Sequence, residues 1–432
     1  MDDLSLVRTV SAAPVRVPAF AAGSRVLHIG APKTGSTAIQ AAQGRLREQP
    51  GSTVTIPGTP LEQARAALAV MGRSTGWARD CQAVPAHYWD RLVRVTRASP
   101  GTVFVSSEFL CEADRPTIRR IVDELADADV QVVLTLRPLP GILPSAWQQY
   151  LKSGHELPYP RWLRSVLATP PKAAVTPSFW PRHDQGAVVE RWAGEVGADR
   201  VTVIVLDPDD RDLLLRSFED LLALPPGALT RMPNARQNRS LTAAEAELFR
   251  QFNVAAKRHR LRYDDYAHLI RYGAIMRTVE QDAGATAPKL VTPDWAVRRA
   301  VDLGTEYAER IAALRTQGLT VIGDLGRLSQ APEPVEVPAG SGPAEIPVAV
   351  AVQALLGVTS RATNGHAFFP DEPQNHPEAA VRGLPGSGRD LTRGLPADQL
   401  TFRQLTRVLV KHVRRAVARR WRARGRRRGT GS

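Results

Sequence analysis

In the stretch HIGAPKTGST, Gly30 and Gly35 bracket Lys33, and the hydroxyl residues Thr34, Ser36 and Thr37 crowd around the second glycine. Residue types in this order can hold a phosphate. A glycine-rich turn entering a helix offers several backbone N–H groups and the positive end of the helix dipole to one anion. The hydroxyls add donors, and the ammonium of Lys33 can neutralise an oxygen that gains charge as its bond breaks. The position of that lysine is informative. A loop that cradles the triphosphate of ATP carries its lysine directly after the second glycine, followed by a magnesium-binding Ser or Thr. Here Ser36 occupies the lysine's place and Lys33 lies inside the loop. The plainer alternative is a glycine turn that starts a helix and binds nothing.

A second anion-binding pattern lies in LRPLPGILPSAWQQYLKSG. Arg137 is expected at the C-terminal end of a strand, where open α/β sheets bind ligands. Ser145 follows eight residues on, in a helix that Pro144 is expected to begin. A planar guanidinium and a hydroxyl can converge on phosphate oxygens. A proton acceptor is available too: FVSSEFL places Glu108 just past a buried strand, on the same edge of the sheet. The other reading of Glu108 is a helix cap or a surface carboxylate. His28 lies inside the first strand, a place that suits a core histidine better than a catalytic one. Lys152 reads as a solvated lysine or as a ligand-reaching one, and Ser106 and Ser107 stand near the acceptor site with no role assigned. Arg236 and Arg239, in RMPNARQNRSLT, are further candidates for a phosphate, with Ser240 as the expected cap of the helix that follows. Asp207, at the end of VTVIVLD, is read either as a metal-binding acid or as a solvated strand end.

The loop resembles the 5′-phosphosulfate loop of the sulfotransferases that use 3′-phosphoadenosine 5′-phosphosulfate (PAPS). Its form, IG-x-x-KTGTT-x-L-Q, is matched at Gly30, Lys33, Thr34, Gly35, Ser36 and Thr37, with Ser36 for the commoner Thr. The spacing of Arg137 and Ser145 is similar to that of the family's pair for the 3′-phosphate. The resemblance spans about residues 24–255. It implies PAPS as sulfuryl donor, Lys33 at the leaving oxygen, and Glu108 as the base, as in relatives that sulfate carbohydrates. It requires no metal. The implied acceptor is a hydroxyl of a glycan or glycolipid. An alternative is a nucleotide-dependent kinase or triphosphatase on a P-loop fold; another is a non-catalytic protein that binds polyanions or membranes.

The elements that must position these groups are an alternation of short apolar strands and helices. Val26–Ile29, Thr102–Ser107, Val130–Leu136 and Arg200–Asp207 read as buried strands, separated by helical stretches such as PTIRRIVDELAD and GAVVERWAGEVG. The pattern predicts an α/β fold, a parallel sheet flanked by helices, P-loop-like in form, with a mostly helical second half. The expected organisation is an N-terminal arm (1–23), a sulfotransferase-like domain (24–329), a Pro/Gly-rich linker with one short helix (330–400) and a basic amphipathic tail (401–432).

The formal charge of +14 belongs largely to that tail, which carries twelve Lys or Arg and no acid. Leu405, Leu409, Val413, Val417 and Trp421 stand four apart, so residues 403–428 can form a basic amphipathic helix suited to an anionic membrane surface. A polyanion, or no partner at all, is the alternative; no specific nucleic acid is implied. Cys81 and Cys111 make neither a disulfide framework nor a zinc site. No signal peptide or membrane span is evident. The expected location is cytoplasmic, with peripheral attachment to the inner face of the cell membrane, and the Ala/Arg-heavy composition is consistent with a bacterial source.

Overall fold

The computed structural model describes residues 18–49, 51–74, 82–125, 129–171, 175–230, 239–281, 288–333 and 346–364. The elements along the chain begin with β1 (Arg25–His28), α1 (Ser36–Glu48), β2 (Val54–Thr55), α2 (Pro60–Val70), α3 (His87–Ala98) and β3 (Thr102–Ser106). Next come α4 (Arg115–Leu125), β4 (Val130–Leu136), α5 (Leu139–Leu151), α6 (Tyr159–Val166), α7 (Phe179–His183), α8 (Gln185–Val196) and β5 (Val201–Val205). The chain continues through α9 (Leu213–Leu221), α10 (Ala243–Arg258), α11 (Tyr263–Tyr266), a π-helical segment (Ala267–Ile275) and α12 (Met276–Val279). The last elements are α13 (Asp294–Leu314), β6 (Thr320–Ile322) and α14 (Val348–Asn364). Two compact units share these elements, each drawn from several stretches of chain, and a boundary falls inside α5 between Leu143 and Pro144.

The first unit holds a six-stranded sheet in the order β2-β3-β1-β4-β5-β6, with every pair parallel. This is the predicted parallel α/β fold. Its strands read as continuous apolar runs because both faces are covered. Val26, Phe104, Val133, Ile204 and Ile322 face one core layer, closed by Ile39, Ala42 and Leu46 of α1 and by Leu214, Leu215 and Phe218 of α9. The neighbouring residues Val132, Leu134 and Val203 are equally buried, and α8 packs on β4 and β5. α13 packs on α8.

The strand order creates a crevice. The chain leaves β1 toward β2 on one side of the sheet and leaves β4 toward β5 on the other, although β1 and β4 are neighbours. Loops at their carboxyl ends therefore diverge, which is where an open α/β sheet admits a ligand.

Two helix starts differ from the sequence reading. α5 begins at Leu139 rather than at Pro144, which lies inside it. The apolar stripe Leu139, Ile142 and Leu143 is fully buried, and that packing sets the start. α10 is capped by Thr242 rather than Ser240: the Thr242 hydroxyl accepts from Glu245 N and the Glu245 carboxylate accepts from Thr242 N, a reciprocal capping box.

In the second unit the π-helical segment, α12 and α14 pack together. Gly273 and Gly357 bring two backbones into contact, and a Cβ added at Gly357 would lie 2.4 Å from the Gly273 carbonyl oxygen. Around that contact, His268 Nε2 lies 3.1 Å from Arg361 O, and Arg361 Nε donates to Tyr272 O at 3.0 Å. Asn253 ties the end of α5 to α10, donating to Leu151 O and His155 O and accepting from the Tyr266 hydroxyl.

Candidate functional site

The loop between β1 and α1 is held in an unusual backbone form. Gly30 and Gly35 have φ of 93° and 91°, and Lys33, which has a side chain, has φ of 70°. A left-handed non-glycine residue costs about 1–2 kcal/mol, so the fold spends stability to present Lys33. Glycine at position 30 permits a close approach, because a Cβ there would meet Glu108 Cα at 3.1 Å and Glu108 Cβ at 3.2 Å. The backbone and Cβ of Glu108 thus lie against the glycine loop.

Beneath the loop is a polar brace. The Thr34 hydroxyl donates to Ala31 O and meets the Thr135 hydroxyl at 2.5 Å. Thr135 N donates to Gly30 O at 2.6 Å, and Ala31 N to Thr135 O at 3.1 Å. Thr34 therefore points inward, and its hydroxyl holds the loop to β4 instead of facing a ligand. The buried Ser36 hydroxyl lies 3.4 Å from Ala31 O, while Thr37 is exposed. Gly35 starts α1 without a side-chain cap, and no acid stands in the first turn. Those first N–H groups are the ones an anion satisfies.

Arg137 follows β4 directly, and its guanidinium reaches the loop, with Nη1 donating to Lys33 O at 3.3 Å. It lies over Gly141, where an added Cβ would sit 2.8 Å from Nη2. Its own carbonyl accepts from Gln185 Nε2 at 2.8 Å. Burial lowers its pKa, and among the described residues no carboxylate pairs with it. A desolvated cation with no counter-ion among the described residues, beside a glycine loop at the carboxyl edge of the sheet, has the chemistry to take an anion.

Glu108 is half-buried and among the described residues forms no ion pair. Its backbone is fixed by the Cys111 thiol, which donates to Glu108 O at 3.0 Å; burial pushes that thiol's pKa up and keeps it protonated. Phe109 lies under the Arg182 guanidinium, 5.8 Å from the ring centre. Arg182 is in turn anchored on the buried carboxylate of Glu112, with Nε 2.6 Å from Oε1, and Arg73 takes the other oxygen.

Other candidates fall elsewhere. His28 is fully buried, with Nδ1 2.8 Å from the Ser106 hydroxyl and Nε2 3.3 Å from that of Thr135, and burial lowers its pKa to about 3. It is a core residue. Asp207 pairs with Arg327 at 2.7 Å and accepts from Asp209 N, so its carboxylate closes a turn. Arg239 donates to Glu245, Thr278 O and Gln281 O within the second unit and is a structural cation there, not a free phosphate ligand. Ser145 is half-buried on α5, in the second unit, and Lys152 lies in the turn after that helix. Arg236, Cys81 and residues 403–428 lie outside the described residues. Among the described residues no group of three His, Cys, Asp or Glu is placed to hold a metal, and no helix is long and apolar enough to cross a membrane.

The sequence reading passed over His183. It is fully buried; burial, then the charges of Arg182 and Lys33, lower its pKa to about 3, and its Nδ1 has no partner among the described residues. It brings a neutral imidazole near the loop lysine. The only signal was the pairing of Arg182 with His183 just before α8, which carries no motif.

No protein-family model matches the chain, and none of the curated proteins matches it. Among solved structures, it is similar to the crystal structure of a sulfotransferase from Alicyclobacillus acidocaldarius, with 19% identity and a TM-score of 0.35 over 55% of this chain and 94% of that one.

Proposed function

We propose that the protein is a sulfotransferase that moves a sulfuryl group from PAPS to an acceptor hydroxyl of a carbohydrate or glycolipid. The observation that carries this reading is the Arg137 guanidinium, hydrogen-bonded to the carbonyl of Lys33 and without a carboxylate partner among the described residues. It supplies a second anion site beside the glycine loop, which suits a nucleotide bearing two separate phosphates. The strained backbone of Lys33 and the approach of Glu108 to Gly30 support it further.

PAPS, when bound, supplies an activated sulfur–oxygen bond whose leaving side is a 5′-phosphate. Lys33 holds positive charge at the bridging oxygen, and the uncapped start of α1 receives the phosphate oxygens. Glu108 accepts the proton of the acceptor hydroxyl as its oxygen bonds to sulfur. The bond from sulfur to the bridging oxygen breaks, releasing adenosine 3′,5′-bisphosphate and a sulfate ester. Arg137 takes the 3′-phosphate. No step calls on a metal, and transfer is expected to continue in EDTA.

The test is a calorimetric titration with adenosine 3′,5′-bisphosphate and, separately, with magnesium–ATP. Binding of the bisphosphate is expected; tight uptake of magnesium–ATP with indifference to the bisphosphate sinks the proposal in favour of a kinase or triphosphatase. Incubating labelled PAPS with the source organism's lipids and glycans then identifies the acceptor. Glu108→Gln is expected to slow transfer by about 10²–10⁴-fold, with nucleotide binding retained; an unchanged rate removes Glu108 from the mechanism. We assign the basic stripe 403–428 to an anionic membrane surface. If a chain ending at Gln399 sediments with anionic vesicles as fully as the whole protein, that assignment is wrong.

A further inference from the structure

A cavity of about 230 Å³ opens between the start of α2, α1 and the turn after β3, lined by Gln40, Pro60, Leu61, Ala64, Ser107, Glu108 and Phe109. Four of these residues are apolar. Among the described lining residues there is no Lys or Arg, and the one ionisable group is Glu108. The Ser107 side chain is 1% exposed, yet its hydroxyl has no hydrogen-bond partner among the described residues. A buried hydroxyl left unmade is costly, so this one is suited to a polar group of a ligand. The walls are firm: Thr59 and Glu62 form a capping box that fixes the start of α2 at Pro60.

We propose that this cavity selects the acceptor, taking a hydroxyl carried by one uncharged, ring-sized unit with an apolar face. The inference rests on the transfer reading above and narrows it. The volume lies below the ~300–1,000 Å³ of pockets that enclose drug-sized ligands, so it holds a single ring and not several sugar units. Pro60, Leu61, Ala64 and Phe109 cover the apolar face. Ser107 hydrogen-bonds the ring's oxygen substituents beside Glu108, which takes the proton. The carboxylate of Glu108, with no cation in the lining to offset it, repels acceptor rings that carry an acid of their own. A neutral pyranoside and a phenol share this chemistry, and the experiment separates them.

Binding of three probes to the full-length protein, phenol, methyl β-glucoside and methyl β-glucuronide, is followed by saturation-transfer NMR, and adenosine 3′,5′-bisphosphate is titrated in parallel. Phenol or the glucoside is expected to bind, naming the ring type, and the glucuronide to bind roughly tenfold more weakly or not at all. Leu61→Trp, at a half-exposed position that tolerates a larger side chain, is expected to weaken the neutral ring by about tenfold or more by filling the cavity. Ser107→Ala is expected to weaken it by up to about tenfold, the worth of one hydrogen bond. Both should keep bisphosphate affinity within about twofold. Neutral-ring binding that neither variant changes, or a glucuronide that binds as well as the glucoside, overturns the inference. Loss of bisphosphate binding alone, with neutral rings still excluded by Leu61→Trp, overturns the transfer reading and leaves the cavity assignment standing.

Discussion

Two arginines, one in each unit, were read as candidates for a phosphate, Arg137 on a motif and Arg239 as a further contact, and the structure separates them. Arg137 is desolvated at the end of β4, touches the carbonyl of Lys33, and meets no carboxylate among the described residues. Arg239 closes a bidentate pair with Glu245, at 2.7 Å to each oxygen, and donates also to the carbonyls of Thr278 and Gln281. Basic residues in a loop announce charge, but only the partners they find decide whether that charge remains for a ligand. The second arginine is occupied in holding the start of α10 to the segment that follows α12.

The contrast can be broken most sharply at Arg239. Arg239→Ala leaves the buried Glu245 carboxylate without its counter-ion and is expected to cost about 3 kcal/mol, read as a lowered denaturation midpoint. A variant as stable as the parent would show that the pair contributes nothing. Arg137→Ala should do the opposite, weakening adenosine 3′,5′-bisphosphate by about 100-fold with no loss of stability, and Arg137→Lys should recover only part because a point charge cannot replace the fork. Equal bisphosphate affinity in Arg137→Ala removes the assignment.

Acid sharpens the comparison of regions. His28 and His183 are buried neutral, each with a pKa near 3 against an ordinary value near 6.5. The unfolded chain binds protons that the folded one refuses, so their contribution is intact above about pH 6.5 and lost as pH falls toward 3. Each imidazole is expected to cost up to about 1.4 kcal/mol per pH unit in that window. His183→Gln should flatten the pH dependence of the melting temperature; an unchanged slope refutes the account. The smallest effect is at Lys33, whose φ of 70° suits glycine. Lys33→Gly should gain about 1 kcal/mol of stability while the proposed transfer is lost, and a destabilised variant would contradict the strain.

Much of this was legible in the residues. Apolar runs such as Val130–Leu136 could be assigned as strands because both faces are covered, and Gly30 with Gly35 marked the loop because glycines there allow the left-handed turn that carries a strand into a helix. The short strands β2 and β6 were not visible, being too brief to carry a period. Helix starts slipped where packing or a reciprocal cap outranked the nearest proline or serine, as at Leu139 and Thr242. Partner-dependent properties stayed hidden altogether. That Thr34 turns inward, that Arg239 also bonds Thr278 and Gln281 and that His183 comes near Lys33 all depend on residues far away in the chain.

The backbone contact between Gly273 and Gly357 has a practical bearing on where this protein can be shortened. Helices that touch through their main chains leave no side-chain layer to re-form around a missing member. Ending the polypeptide at the proline-rich stretch before α14 would strip cover from Gly273 and Ala274, and the trimmed product should come out of the cell as aggregate rather than as a smaller folded protein.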